Sequence, residues 1–330
     1  MSGDPFEAVA AGRRDAARLA LATAMGSTAP NSLSPLSGGA SGASIFRVES
    51  KDGRYLLRIE GPPSPLRNPH QYISMRMASD AGIAPMLLHL DEPNGIVVTQ
   101  FIEERPLKSF PGGRPALAEA LGALLGRLQA SPVFPYFVDY PALVIQLIAH
   151  VDRTGLFAPG LLDVHWNRLA DIANKWKPET LVSSHNDPNP RNILFDGERL
   201  WLIDWESAYR NDPFIDIAIV LDSLAPTPQL EDIVLRAWLG RAPDAAFRER
   251  LDIARALIRL YYAGVLLSAS ATLPRAQPDG ALSAPTLPQL RSAIAEGRIK
   301  TGTAESLHTV GKMYLAAFLS GEPVLALDEI

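Results

Sequence analysis

The chain predicts an α+β fold in two lobes, a small strand-rich lobe over residues 1–103 and a larger helical lobe over residues 104–330. Three observations predict it. Short apolar runs separated by Gly, Asp and Pro turn signals crowd the first lobe. From Arg105 onward apolar residues recur at helical spacing. One island of strand, Asn192 to Asp204, interrupts those helices directly after a polar run, Ser184 to Arg191. Two such lobes leave a cleft between them, the usual place for a small ligand.

Phe6 to Met25 reads as an amphipathic helix, with Ala8, Val9, Ala16, Leu19 and Leu21 set among Arg13, Arg14, Asp15 and Arg18. Ser27 to Ser44 is rich in Ser, Gly and Pro and reads as loop. Ile45 to Val48 and Tyr55 to Ile59 read as strands, joined at Lys51-Asp52-Gly53-Arg54 by the Asp-Gly signal of a hairpin. Gln71 to Ala81 reads as a helix stopped by Gly82, and Met86 to Leu90 and Ile96 to Ile102 as two more strands. In the second lobe helical spacing covers Pro115 to Gln129, Ala142 to Val151, Leu161 to Trp176 and Leu230 to Leu239. It returns over Ala246 to Ser268, Pro288 to Glu296 and Thr303 to Leu319, with a surface loop from Leu273 to Leu287.

Composition narrows the function. A formal net charge of −5 argues against nucleic acid as a partner, and the absence of cysteine excludes disulfides, thiolate zinc sites and cysteine nucleophiles. The 47% of hydrophobic residues suffices for a large core. Leu260 to Pro274 is shorter than the ~18 apolar residues of a membrane span, so it reads as a core helix and no membrane partner is expected. Asp4, Glu7 and Asp15 spoil the basic region of a secretory signal, which makes the expected location cytoplasmic. Oligomeric state is not legible.

The strongest chemical signal is Ser184-His185-Asn186-Asp187-Pro188-Asn189-Pro190-Arg191-Asn192, followed by Ile203-Asp204-Trp205-Glu206. Asn192 to Phe195 and Leu200 to Ile203 flank the turn signal Asp196-Gly197, so folding back there brings Asp204 beside Asn192. An amide oxygen and a carboxylate at that spacing suit Mg²⁺, which takes one or two carboxylates plus phosphates and water. Asp187, just upstream, is placed to hold a hydroxyl and accept its proton, an arrangement that serves phosphoryl transfer. Read separately, the polar run is no more than an Asx-turn and Asp204 a strand-end cap.

Two further elements fit that chemistry. Ser37-Gly38-Gly39-Ala40-Ser41-Gly42 precedes the first hairpin, and free backbone N–H groups in such a loop bind anions; its bland reading is a linker. Arg58 is a lone cation in the apolar strand Leu56 to Ile59 and needs a partner, either a nucleotide phosphate or a carboxylate such as Glu60 or Glu103. Other chemistries fail: Gly311-Lys312 lacks the rest of a Walker A loop, and the six histidines include no pair at metal-ligand helical spacing.

His185-x-Asp187-x4-Asn192 with Asp204 resembles the catalytic and metal-binding motifs of the aminoglycoside phosphotransferase and choline kinase superfamily, which has the protein-kinase-like fold. Ile203-Asp204-Trp205-Glu206, Asn211 to Ala218 and the Leu57-Arg58-Ile59 strand look like its choline/ethanolamine kinase branch. The resemblance covers about Leu36 to Val220. It implies ATP and Mg²⁺ as cofactors, a small-molecule hydroxyl as acceptor, Asp187 as catalytic base and Asn192 and Asp204 as metal ligands. It further implies that Gly38, Gly39, Gly42 and Arg58 meet the nucleotide phosphates, that backbone groups from Gln100 to Ile102 meet adenine, and that His185 and Asp216 support the catalytic loop. A choline-like amino alcohol is the favoured acceptor, with Trp205, Tyr209, Trp238, Tyr261 and Tyr262 as candidate aromatic faces. An aminoglycoside acceptor, served by Glu231, Asp232, Asp244 and Glu249, or another small molecule, is the alternative. The chain departs from the pattern at Gln71, where a helix acid should pair with the strand cation, so Glu206 or an unplaced acid must orient Arg58. That departure supports a third reading, a catalytically silent nucleotide-binding module.

Overall fold

A computed structural model of the chain describes residues 4–26, 29–36, 42–61, 67–272, 277–322 and 324. Its first segment is only partly the expected helix. The Asp4 side chain accepts from the Phe6 N–H at 3.1 Å and caps a 3-10 turn over Pro5–Ala8. Val9 then runs extended, and the α-helix proper, α1 (Arg14–Met25), begins five residues later. Arg14 holds the break by donating from Nε to the Val9 carbonyl at 2.9 Å, and Gly12, a poor helix former, lies beside it.

The segment expected as loop contributes a strand, β1 (Ser32–Leu36), which pairs antiparallel with β2 (Ser44–Ser50). Its sequence, SLSPL, shows little alternation because only Leu33 is buried, and Pro35 is tolerated there because β1 is an edge. Strand β2 returns through Lys51-Asp52 into β3 (Gly53–Ile59), so Gly53 is a paired residue and not part of the turn. After α2 (Gln71–Asp80), β4 (Leu87–Asp91) and β5 (Ile96–Gln100) complete an antiparallel sheet in the order β1-β2-β3-β5-β4. Phe46, Val48, Leu57, Ile59, Ile96 and Val98 bury one face of it under Ala17, Ala20 and Leu21 of α1. Helix α2 ends at Gly82, which takes φ +65°. Asn68 and Ser74 donate to the Ala208 carbonyl at 2.7 and 2.9 Å, which ties this end of the sheet lobe to the segment just beyond Asp204.

The remainder is helical. In order come α3 (Gly113–Gln129), α4 (Tyr140–Arg153), α5 (Asp163–Lys175), β6 (Val182–Ser184), β7 (Ile193–Phe195), β8 (Leu200–Leu202) and β9 (Tyr209–Asn211). Then follow α6 (Phe214–Leu224), α7 (Pro228–Leu239), α8 (Ala245–Ser270), α9 (Leu287–Ala295) and α10 (Ala304–Ser320). Sequence periodicity misses α6, because it is buried on almost every side and has no polar stripe to mark its period. It misses β6 and β9, three-residue strands that pair with each other, because so short a run has no pattern. Helix α8 is the one among the described residues long and apolar enough to cross a membrane by length and composition. Leu257, Leu260, Ala263 and Leu267 are fully buried against the other helices, so its apolar side is core.

The loop before α9 is pinned at Asp279. Its carboxylate meets His308 Nε2 at 2.8 Å and Lys312 Nζ at 2.9 Å on α10, and its backbone bridges to Leu156 and Ala158.

Candidate active site

The polar run after β6 is a loop locked from below. Asp216, fully buried in the first turn of α6, accepts from the His185 N–H at 2.9 Å and the Asn186 N–H at 2.7 Å. That grip holds Asn186 at φ +62°, and its amide donates to the Ser207 and Tyr209 carbonyls and accepts from Asn211 Nδ2 at 2.7 Å. Burial pushes the Asp216 carboxyl up to about 6 even though the two N–H groups pull it down. His185 donates from Nε2 to the Ile203 carbonyl at 2.8 Å and packs on Trp205 with ring centroids 4.7 Å apart. Burial lowers its pKa to about 4, so it is neutral and structural.

These anchors present Asp187. Its Oδ1 accepts from Asn189 Nδ2 at 2.8 Å and the Tyr262 hydroxyl at 2.6 Å, and its Oδ2 from Asn192 Nδ2 at 3.1 Å. Burial raises the carboxyl to about 6, with the bonds from Tyr262 and Asn189 opposing and Asp204 adding to the rise. Such a group is ionised at neutral pH yet basic enough to take a hydroxyl proton.

The hairpin closes as the turn signal expects. Asp196 Oδ1 accepts from the N–H groups of Glu198 and Arg199 at 2.8 and 2.9 Å, and Gly197 takes φ +105°. Strand β7 pairs with β8 in the register Ile193↔Leu202, and the Ile203 N–H donates to the Asn192 carbonyl at 3.0 Å, so Asp204 follows directly beside Asn192. Asp204 sits at φ +65°, ψ +67°; with Asn186 it is one of the two non-glycine residues at positive φ among those described. Strained backbone of this kind gathers at functional sites. Asn192 commits its NH₂ to Asp187, which turns its amide oxygen away, and Asp204 adds a carboxylate. No cluster of three or more His, Cys, Asp or Glu set to hold a metal occurs among the described residues. One amide oxygen and one carboxylate nevertheless fit Mg²⁺, whose shell is usually completed by phosphates and water.

Arg58 reaches across from β3 and is held by acids on three of its nitrogens. Glu60 Oε1 lies 3.0 Å from Nε, Asp204 Oδ1 2.9 Å from Nη1 and Glu206 Oε2 3.1 Å from Nη2. A phosphate is therefore not needed to satisfy this cation, and the acids that orient it are Glu206 and its strand neighbour Glu60. Glu103 pairs instead with Arg54. Gln71, whose amide oxygen can be oriented to accept from Arg67, takes no part. Burial and the charge of Asp204 raise Glu206 to about 7 against the pull of Arg58.

Gly38 and Gly39 lie outside the described residues. Gly42 takes φ +69°, and its carbonyl approaches so near Gly61 that a Cβ on Gly61 would stand 2.9 Å from it. In the hinge, the N–H of Gln100 is spent on the Met86 carbonyl and that of Phe101 on Arg54, and Ile102 is buried at its end. The five aromatic candidates separate. Trp238 packs edge-on against Phe214 and tilted against Phe247, Trp205 packs on His185 and Tyr209 on Phe137. Only Tyr262 touches Asp187, at the middle of a row of rings running Tyr140, Tyr261, Tyr262, Tyr314. Its partnership with a loop so far back in the chain has no linear signal.

Comparison with known proteins bears on the sequence family and the fold. The sequence model of the APH phosphotransferase enzyme family matches residues 32–253. Among curated proteins, the chain is 31% identical over 175 residues to an uncharacterized protein of Metamycoplasma hominis, covering 51% of this chain and only 33% of that one. Among solved structures, a choline/ethanolamine kinase family protein from Mesorhizobium loti superposes with a TM-score of 0.68 at 22% identity, covering 93% of this chain and 94% of that one. Choline kinase LicA from Streptococcus pneumoniae superposes at 0.66 with 15% identity, covering 93% and 100%. At these identities the two structures speak to the fold alone, and they share the antiparallel sheet followed by helices.

Proposed function

The chain belongs to the APH phosphotransferase enzyme family, and from that premise we propose that it transfers the γ-phosphate of ATP, with Mg²⁺, to the hydroxyl of a small amino alcohol of the choline or ethanolamine kind. The observation that carries this reading is the convergence of Asp187, Asn192 and Asp204 through one amide and one hairpin. In it the acceptor oxygen bonds to the γ-phosphorus as the bridging P–O bond to ADP breaks, and the hydroxyl proton passes to the Asp187 carboxylate. Asp187 holds the acceptor in line, with Oδ1 fixed by Tyr262 and Asn189. Held by Asn192 and Asp204, Mg²⁺ supplies charge neutralisation on the phosphates. Arg58, fixed by Glu60 and Glu206, adds a rigid guanidinium beside the same charge, and residues 1–103 serve as the nucleotide lobe, with Gly38, Gly39 and Gly42 over the phosphates and Gln100 to Ile102 at adenine.

The alternatives lose support from particular contacts. Three of the acids available to a polycationic aminoglycoside are already paired with arginines: Glu231 with Arg255, Asp232 with Arg236 and Asp244 with Arg241. The silent-module reading rested on Gln71, yet Arg58 finds its acids elsewhere.

The test is Asp187→Asn in an ADP-release assay over choline, ethanolamine and aminoglycosides, with ATP binding followed by thermal shift. Turnover is expected to fall by about 10²–10⁴ with ATP binding retained. Unchanged turnover removes Asp187 as the base, and ATP binding by the wild type without turnover of any acceptor favours the silent module.

A further inference from the structure

The hydrogen bonds to Asp187 divide its surroundings into two sides. Asn192 holds Oδ2, stands beside Asp204, and faces the side that Arg58 closes from β3. Asn189 and Tyr262 hold Oδ1 on the other side, which belongs to the helical lobe. With phosphates at Asn192 and Asp204, in-line attack brings the acceptor from that helical side.

The helical side is tightly closed. Behind Asn189 and Tyr262 lies a cavity walled also by Arg259, Tyr314 and Val324, and about 10 Å³ of it admits the centre of a water, room for about one molecule. Val324 is the one wall residue that belongs neither to a helix nor to the catalytic loop. The chain reaches it by a sharp turn. Helix α10 ends at Gly321, which takes φ +83° and donates its N–H to the Ala317 carbonyl at 3.0 Å. The Glu322 N–H then donates to Ser320 Oγ at 3.1 Å. Arg259, 4% exposed on α8, donates from Nη1 to the Gly321 carbonyl at 2.6 Å and from Nε to Asp222 Oδ2 at 2.8 Å. Val324 lies half-buried against the helical core.

We propose that the segment carrying Gly321, Glu322 and Val324 is a strap that lifts to admit the acceptor to Asp187, with Arg259 as its latch and Gly321 as its hinge. This rests on the phosphotransfer reading above. A carbonyl on a buried guanidinium and one apolar side chain hold the strap down, contacts that local motion can break without unfolding the helices. Such a gate raises the apparent dissociation constant of the acceptor by the reciprocal of its open fraction. The same fraction governs how often a group at position 324 meets solvent, so the two effects share one factor.

The chain contains no cysteine, which makes any introduced thiol unique. Val324→Cys and, as the exposed neighbour, Glu322→Cys are each treated with N-ethylmaleimide. The thiol at 324 is expected to react about tenfold more slowly or less. Two further changes are then made in the Val324→Cys chain and in the wild type. Arg259→Lys removes the second donor of the latch while Arg255 still faces Asp222 at 3.0 Å, and Gly321→Ala strains the hinge at its positive φ. Should Arg259→Lys not fold, Gly321→Ala carries the test. Freeing the strap is expected to bring the thiol rate at 324 up toward that at 322. It should also lower the acceptor KM by up to the same factor, with ATP KM unchanged, measured by ADP release with whichever of choline, ethanolamine and the aminoglycosides the wild type turns over. Equal thiol rates at 322 and 324, a rate at 324 that neither change raises, or an acceptor KM that does not fall overturns the strap and leaves phosphotransfer standing. No ADP release with any acceptor overturns both.

Discussion

Helices α3 and α7 meet closely enough at one residue for a single methyl group to be read as a sign. A Cβ added at Gly122 would stand 2.4 Å from the Val234 carbonyl oxygen, 2.9 Å from Ala237 Cβ and 3.1 Å from the Trp238 nitrogen. Two of those three atoms are helix backbone, which cannot rotate away. One turn further along α3, a Cβ at Gly126 would meet Trp238 atoms no nearer than 4.0 Å, ordinary contact. Both glycines have helical neighbours, so alanine gains about 1 kcal/mol of helix propensity at either. At Gly122 that gain is opposed by overpacking of about 1–3 kcal/mol or more, since the helices must part by several tenths of an ångström against the Gln129–Trp238 hydrogen bond at 2.7 Å. With a backbone oxygen only 2.4 Å away the overpacking stands at the top of that range, so Gly122→Ala is expected to destabilise by about 2 kcal/mol or more and Gly126→Ala to stabilise by up to about 1 kcal/mol, each kcal/mol moving Tm by about 2–4 °C. Differential scanning calorimetry of the two variants measures both shifts, and turnover per folded molecule should not change because neither glycine nears Asp187. A Gly122→Ala protein as stable as wild type, or shifts of one sign at both positions, would refute the close approach of these helices.

Two other perturbations test the site and its frame. Asp216→Ala frees the N–H groups of His185 and Asn186 and releases the loop that aims Asp187, so kcat is expected to fall about a hundredfold, as for a displacement on the order of 1 Å, while the far-ultraviolet dichroism is retained. Wild-type kcat in that variant would show that the loop holds itself. For Asp279, desolvation is outweighed by the hydrogen bonds from His308 and Lys312, and its carboxyl titrates below the usual range. A lowered folded pKa contributes stability above the unfolded value near 3.8 that is lost as pH falls through the folded one. Asp279→Asn should accordingly cost about 1–3 kcal/mol at pH ~7 and less at pH ~3 by urea unfolding, and a cost independent of pH would refute the ion-pair reading.

The part of the site visible in the linear sequence is the part held by local geometry. His185, Asp187 and Asn192 share one loop, and the turn at Asp196-Gly197 sets the register that returns Asp204 to Asn192. Helices with a polar stripe in the second lobe were legible to within a few residues, whereas the start of α1, α6, buried on almost every side, and β1, paired only at an edge, were not. A segment whose conformation is imposed by neighbours distant in sequence leaves no period of its own.

What the residues determine unaided is the chemistry on offer: no thiol, a hard-oxygen pair, one acid beside it, and an α+β order of elements. Tertiary structure alone decides which partners those groups receive. The Tyr262 hydroxyl on Asp187 and the Glu60, Asp204 and Glu206 carboxylates around Arg58 join strands and helices that pair only after the core has formed. A carboxylate's proton affinity and an arginine's aim depend on such neighbours, because burial removes the water that would otherwise solvate them and leaves the protein to replace it.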